Sequence, residues 1–272
     1  LAGCPGWGKM LEDESKDIER SRMRWNKCAK SYDEYYKDFK GAVEHYVEWE
    51  ILRAHLPKRR NANILDAAGG TGRVTLPLAK MGYSVTLCDI SPGMLEVARQ
   101  KILKERVLDK VTISECDVCN LPFPDESFDF VLCWGGGIKA VKELVRVTKK
   151  KGGISMCVAN RYGTAISKFR ENPEHALALL TSKSDYDYYE DEKYRVVGEE
   201  EIEEIIEKEG IKIIEIYAYD IWESLSIPEN VLESQKWDEK FFRQTAEMLL
   251  RLAKEPSIRG ASRHFALYGE KI

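Results

Sequence analysis

The sequence has no apolar run approaching the roughly 20 residues that cross a bilayer, and no charged-then-apolar leader precedes a cleavage site. The reading is a cytoplasmic protein without a membrane partner. An excess of positive charge is also missing: 42 Lys and Arg stand against 46 Asp and Glu, a formal net charge of −4. That argues against a surface that coats nucleic acid, though it leaves room for a local basic groove. The seven cysteines are odd in number and scattered, so no disulfide framework is expected and a reducing compartment is favoured. Cys116-x-x-Cys119 lacks a second pair at zinc-ligand spacing, and no metal is expected.

At 272 residues with 43% hydrophobic content, the chain has enough apolar material for a sizeable core. The stretch that organises it is Ile64 to Gly72, Ile-Leu-Asp-Ala-Ala-Gly-Gly-Thr-Gly. A short apolar run ends in Asp66, breaks into small residues and leads into the amphipathic segment Arg73 to Lys80. The pattern predicts strand, tight turn and helix, with glycines that let a ligand lie against bare main chain. Tyr83 to Cys88 is the second predicted strand and ends at Asp89, placed to meet the two vicinal hydroxyls of a ribose. Ser91-Pro92-Gly93 opens a helix, with Ser91 as its cap. Val111 to Cys116 is a third strand, ending at Asp117, and Phe128 to Trp134 is a fourth, apolar enough for the buried centre of a parallel sheet. A helix follows from about Ile138 to Thr148, then Lys151-Gly152-Gly153 as a stop, then Ile154 to Ala159 as a fifth strand. Such a series of strand-helix units predicts an open, doubly wound α/β sheet.

A nicotinamide dinucleotide is a poor match for the turn. Its fingerprint Gly-x-Gly-x-x-Gly would put the third glycine on Arg73 in one frame and on Thr75 in the other. Asp66 would also meet a pyrophosphate as one anion meets another, whereas a positively charged amino acid moiety suits it.

With these blocks in this order, the chain resembles the class I S-adenosylmethionine-dependent methyltransferases, in the group that acts on small molecules, quinones and the tRNA wobble position. The turn motif of that family, acid-x-Gly-x-Gly-x-Gly, stands here as Asp66-Ala67-Ala68-Gly69-Gly70-Thr71-Gly72. Ala68 replaces the first glycine, and the expectation is that its φ stays negative. The resemblance implies a seven-stranded Rossmann-like sheet, with the last strand entering antiparallel between the fifth and sixth. It implies S-adenosyl-L-methionine as cofactor, held at the turn by Asp66, Ala68, Gly70, Thr71 and Gly72. Asp89 would take the ribose, Ile90 and Met94 the adenine edge, Asp117 and Val118 the adenine ring and its amino group, and Cys133 with Trp134 would border the methionine part. The family places a longer loop after the fourth strand; only Gly135-Gly136-Gly137 stands here, and the reading is that a stretch is absent from the sequence at that point.

Residues 1–60 read as a loose tail (1–12) followed by a helical lid, with helices over Glu14 to Lys30 and Ala42 to Leu56 and with Tyr32 poised over the turn. Residues 61–272 are the core, carrying cap insertions at about 164–197, where Tyr186, Tyr188, Tyr189 and Tyr194 alternate with acids, and at about 222–262. Within the second, Lys236 to Lys254 with Trp237, Phe241 and Phe242 predicts a cap helix or a dimer face, so the chain is a monomer or a homodimer. Lys58-Arg59-Arg60 reads as a solvated linker. Because a sulfonium is already an activated leaving group, positioning supplies much of the catalysis, and a base is needed only for a protonated acceptor. Trp134, Arg161 and His264 are the candidates for positioning. The expected acceptor is a small or medium-sized molecule enclosed by Trp25, Tyr32, Trp134, Arg161 and the caps; a tRNA base is the enzymatic alternative, and a non-catalytic binding protein the third.

Overall fold

The computed structural model describes residues 5–181, 186–189, 192–222 and 238–272, with side chains described for 17–181, 194–222 and 238–272. Seven strands form one sheet: β1 (Asn63–Ala67), β2 (Ser84–Asp89), β3 (Val111–Glu115), β4 (Phe128–Cys133), β5 (Thr148–Ala159), and two C-terminal strands, Ile211–Tyr219 and His264–Lys271. A hairpin of β6 (Tyr186–Tyr189) and β7 (Glu192–Arg195) stands apart, so the C-terminal strands of the sheet are β8 and β9. The order is β3-β2-β1-β4-β5-β9-β8, with β9 antiparallel to both of its neighbours and the first five strands parallel. The last strand therefore enters between the fifth and the sixth, as the resemblance implied.

Successive residues of the central strands point to opposite faces, and each face has its own core. Ile64, Leu87, Phe130 and Leu132 pack under α2 (Phe39–His55), α3 (Thr75–Lys80) and α4 (Pro92–Lys104). Leu65, Cys88, Val131 and Cys133 pack under α5 (Val141–Val147) and, through Ile202 and Ile206, under α8 (Glu199–Lys208). Ser91 caps α4 by accepting from the N–H of Met94 at 3.1 Å, with Pro92 in the first turn.

Three elements differ from the sequence expectation. Helix α1 runs from Pro5 to Cys28, so the tail expected over residues 1–12 is helical from residue 5 onward. β5 starts at Thr148 rather than Ile154, because the lysines fold into an irregularity of the β4–β5 ladder between the pairs Phe128–Thr148 and Phe130–Gly153, with Lys151 at φ +59°. The helix expected from Ile138 begins as a 3-10 turn, Ile138–Ala140, before α5.

Around the core lie α6 (Arg161–Lys168) and α7 (Pro173–Leu180), which bury Ala165, Ala176 and Leu179 with Ala159 and Val196. The side chains of Tyr186, Tyr188 and Tyr189 and the whole of Trp237 lie outside the described residues. Helix α9 (Glu239–Leu252) lays its apolar face on α2, where Phe39 stacks on Phe241 with ring centroids 5.2 Å apart and Tyr46 meets Phe242 edge-on at 5.7 Å. A short α10 (Pro256–Ala261) leads into β9. Among the described residues, no helix is long and apolar enough to cross a membrane.

Candidate active site

The turn after β1 takes positive φ at Ala68 (+56°), Gly70 (+54°) and Gly72 (+72°). The expectation of a negative φ at Ala68 is therefore wrong. The chain leaves β1 still tied to β2, because the N–H of Gly69 donates to the Cys88 carbonyl at 3.1 Å, and that of Gly72 donates to Gly69 at 3.0 Å. Position 68 must bend left to make both bonds. Position 69 needs glycine for a different reason: an added Cβ would sit 2.5 Å from Asp66 Cγ.

Three acids line the C-terminal edge of the parallel strands, as their spacing suggested. Asp66 is 2% exposed and accepts from Thr75 Oγ1 at 2.5 Å; burial pushes it up to about 6. It therefore supports the turn from beneath. Asp89 closes β2 and accepts two main-chain donors, Ser91 N–H on Oδ1 and Gly70 N–H on Oδ2, each at 2.9 Å. Burial raises its pKa against the pull of those bonds. Asp117 is half-buried in the loop after β3, its Oδ1 fixed by the Cys119 N–H at 2.9 Å. Met94 lies under Gly70, with its Sδ 3.9 Å from where a Cβ there would stand, and Ile90 is half-buried beside Asp89. Val118 and Cys133 both approach Gly136, so the loops after β3 and β4 meet at that glycine. The Cys133 thiol is fully buried and burial pushes it up to about 12, which leaves it an uncharged packing group.

The N-terminal segment packs against this edge. Between α1 and α2, the 3-10 turn Tyr32–Lys37 carries Asp33, which accepts from Thr71 Oγ1 at 2.6 Å and from Lys101 Nζ at 2.8 Å. Asn26 Oδ1 accepts from Ser91 Oγ at 2.7 Å and from the Gly93 N–H at 2.8 Å. Tyr32 meets Trp25 and Tyr36 edge-on, each at 6.0 Å. Lid and turn are thus joined by hydrogen bonds as well as by aromatic packing.

Beside the turn lies a packed polar and aromatic cluster that the sequence reading largely missed. Trp134 donates from Nε1 to Ser155 Oγ at 2.9 Å and its ring lies 6.4 Å from that of Tyr219. Tyr219 meets His264 edge-on at 6.2 Å and donates to Glu48 Oε1 at 2.7 Å. Glu48 pairs with Arg73 at 2.6 Å, their side chains 6% and 15% exposed, and the guanidinium lies 4.1 Å over the Tyr36 ring. Arg73 also donates to His45 Nδ1 at 2.6 Å, which puts any single imidazole proton on Nε2. His264 Nδ1 lies 3.7 Å from Asp220 Oδ2, too long for a hydrogen bond, and this buried nitrogen has no hydrogen-bond partner among the described residues. Burial works against the Asp220 carboxylate, but His264, Arg263 and Lys40 hold it below its usual range. Glu44 accepts from Tyr35, its other oxygen has no partner among the described residues, and burial pushes it up to about 8.

One expected acceptor contact is not at the rim. Arg161 is 5% exposed and its guanidinium pairs with Glu201 at 2.6 Å, because α8 folds over the start of α6. The missed residues left one signal: Glu44 and Glu48 stand one turn apart in α2, beside the core positions Val43 and Val47. Charges within a buried stripe ask for partners. Among the described residues, no group of three His, Cys, Asp or Glu is arranged to hold a metal ion.

Residues 64–152 match the protein-family model described as a methyltransferase domain. The ubiquinone/menaquinone biosynthesis C-methyltransferase UbiE of Pectobacterium carotovorum is 36% identical over 103 residues, 35% of this chain and 41% of that protein. The match thus spans less than half of that relative's own length. The demethylmenaquinone methyltransferase of Staphylococcus aureus is 25% identical over 228 residues, 77% of this chain and 92% of the relative. Among solved structures, a SAM-dependent methyltransferase of Thermotoga maritima, described as a possible histamine N-methyltransferase, superimposes with a TM-score of 0.58 at 19% identity, covering 91% of this chain and 98% of the other. Geranyl diphosphate C-methyltransferase from Streptomyces coelicolor, solved with S-adenosyl-L-homocysteine, has a TM-score of 0.55 at 14% identity, covering 84% and 79%. At these identities, the structural likenesses speak to the fold.

Proposed function

We infer that this chain, which carries a class I S-adenosylmethionine-dependent methyltransferase domain, methylates a small or medium-sized acceptor that docks between the lid and the cluster of Trp134, Tyr219 and His264. The observation that carries this reading is the turn over Asp66 with Asp89 beside it. The residues fit S-adenosylmethionine: an added Cβ on Gly70 would meet only Met94 Sδ, so the main chain there is open to a ligand. Asp89 suits a pair of vicinal hydroxyls, and Ile90, Met94 and Val118 offer apolar edges to a flat base. When bound, S-adenosylmethionine supplies a methyl group already activated on a sulfonium.

The chain's own part is to bind, orient and exclude water. Asp33, through Thr71 and Lys101, holds the lid shut over the turn. Trp134, anchored to Ser155, and Tyr219, anchored to Glu48, present aromatic faces to a flat acceptor. For an acceptor that must lose a proton, His264 Nε2 is the base, with Asp220 Oδ2 3.7 Å from Nδ1. The names of the relatives make a reduced quinone the first acceptor to try.

Incubation with methyl-labelled S-adenosylmethionine, a reduced quinone panel and fractionated cell extract tests the proposal. Label is expected in small organic-soluble products. Label in RNA instead would move the acceptor to a nucleic acid base, and label nowhere, with no S-adenosylhomocysteine binding by calorimetry, would overturn the enzymatic reading.

A further inference from the structure

The opposite edge of the sheet holds a cavity of about 360 Å³ that the methyl-transfer reading does not use. It opens where β4 and the re-formed part of β5 begin, so it lies at the far end of the strands from the turn. Five cations line it, Lys58 and Arg59 from the connector before β1 and Lys149, Lys150 and Lys151 from the bulged start of β5, against two carboxylates, Asp129 and Glu270. This concentration of positive charge stands in a chain whose net charge is −4.

Asp129 is already shared between Arg59 and Lys149, each at 2.8 Å. That leaves Lys58, Lys150 and Lys151, all exposed, with no carboxylate partner among the described residues. The apolar lining is Phe130, Tyr268 and the exposed Ile214, and His55 stacks on Tyr268 with ring centroids 4.2 Å apart. The cavity is of small-ligand size. Three ammonium groups around one opening act as point charges and match a group with several anionic oxygens better than a single carboxylate.

We propose that this cavity binds a small phosphorylated ligand carrying two or more phosphate charges, with the phosphates among Lys58, Lys150 and Lys151 and any apolar part against Tyr268 and Ile214. The site is separate from the proposed cofactor turn, so its test needs neither S-adenosylmethionine nor turnover. Orthophosphate, pyrophosphate and tripolyphosphate are titrated into the full chain by calorimetry at constant ionic strength, with a uridylate oligonucleotide series alongside. Saturable binding that tightens from orthophosphate to tripolyphosphate is expected. Joint Lys58→Glu and Lys150→Glu substitution should weaken tripolyphosphate by about tenfold or more. Joint Lys104→Glu and Lys142→Glu substitution, with the same charge change at exposed sites on α4 and α5, should leave it within about twofold. Unfolding midpoints confirm that all variants fold. Equal weakening by both pairs, or no preference among the phosphates, overturns the proposal. So does oligonucleotide binding that beats tripolyphosphate and grows with length, which would make the surface a nucleic acid track.

Discussion

The two edges of the sheet treat the same side chain in opposite ways. Asp66, at the end of β1, has a hydroxyl donor from Thr75, and burial pushes its pKa up to about 6. Asp129, on the adjacent strand β4 at the other edge, is reached by Arg59, Lys149 and the Asn63 N–H, each at 2.8 Å; burial opposes these contacts, yet they hold it below its usual range. At the C-terminal edge, Asp66 and Asp89 draw on hydroxyl and main-chain donors, so the rim stays acidic and suits a cationic or hydroxyl-rich ligand. At the N-terminal edge, lysines outnumber the acids, and an anion suits it. For these two aspartates, the partners that each end of the strands supplies set the direction of the shift.

Arg73 is the main exception, a cation buried on the acidic side, and removing it is the hardest test of the contrast. Arg73→Met leaves Glu48 buried without its partner and should cost about 3–5 kcal/mol in urea unfolding at neutral pH. Adding Glu48→Gln should recover much of that; a loss near zero would mean that the acidic edge does not need this buried counter-charge. The pH dependence of stability comes next. Asp66 holds its proton more tightly folded than unfolded, so its contribution is complete below about pH 4 and is lost as pH rises to about 6, an effect on the order of 3 kcal/mol. Asp129 runs the other way: its contribution is present above its unfolded pKa and is lost as pH falls through the lower folded value. Unfolding curves should show Asp66→Asn flattening the fall between about pH 4 and 6 and Asp129→Asn flattening the loss at more acidic pH. The same slope change from both substitutions would erase the contrast.

Ligand binding sharpens it further. Asp89→Asn keeps an acceptor oxygen but loses the charge, and it should weaken S-adenosylhomocysteine by roughly ten- to a hundredfold in calorimetry. Unchanged affinity would remove the C-terminal edge as the cofactor site. Asp33→Ala breaks the ties to Thr71 and Lys101 and should cost about 1 kcal/mol, seen as faster amide exchange across the 3-10 turn Tyr32–Lys37 and a severalfold weaker ligand. If exchange there does not change, packing of Trp25 and Tyr32 alone holds the lid.

What was legible beforehand follows the same division. The sheet could be read because its parallel strands carry short apolar stretches, such as Ile64-Leu65 in β1 and Phe130-Val131-Leu132-Cys133 in β4, and Asp66, Asp89 and Asp117 mark where the first three end. The cluster could not, because its bonds join distant parts of the chain: Tyr219 and Glu48 are 171 residues apart, and Arg73 and Glu48 are 25 apart. Arg161 looked like a rim residue because it follows a strand on the acceptor side; Glu201, 40 residues on, takes it once α8 folds over. Lys151-Gly152-Gly153 reads as a helix stop by its glycines alone, and only pairing with β4 turns the lysines into the wall of a cavity.

The smallest effect comes from Ala68, where the family pattern and this chain part. A left-handed alanine costs about 1–2 kcal/mol relative to the right-handed regions, and glycine would remove that strain. Two terms oppose the gain. Glycine restores about 0.4–1 kcal/mol of freedom to the unfolded chain, and the Ala68 Cβ packs close to Gly135, 3.2 Å from where a Cβ there would stand. Ala68→Gly should therefore raise stability by only about 0.5 kcal/mol, a shift of roughly 1–2 °C in the unfolding midpoint. A clear loss would mean that the contact with Gly135 outweighs the strain, and that the alanine ties the turn to the loop that carries Trp134.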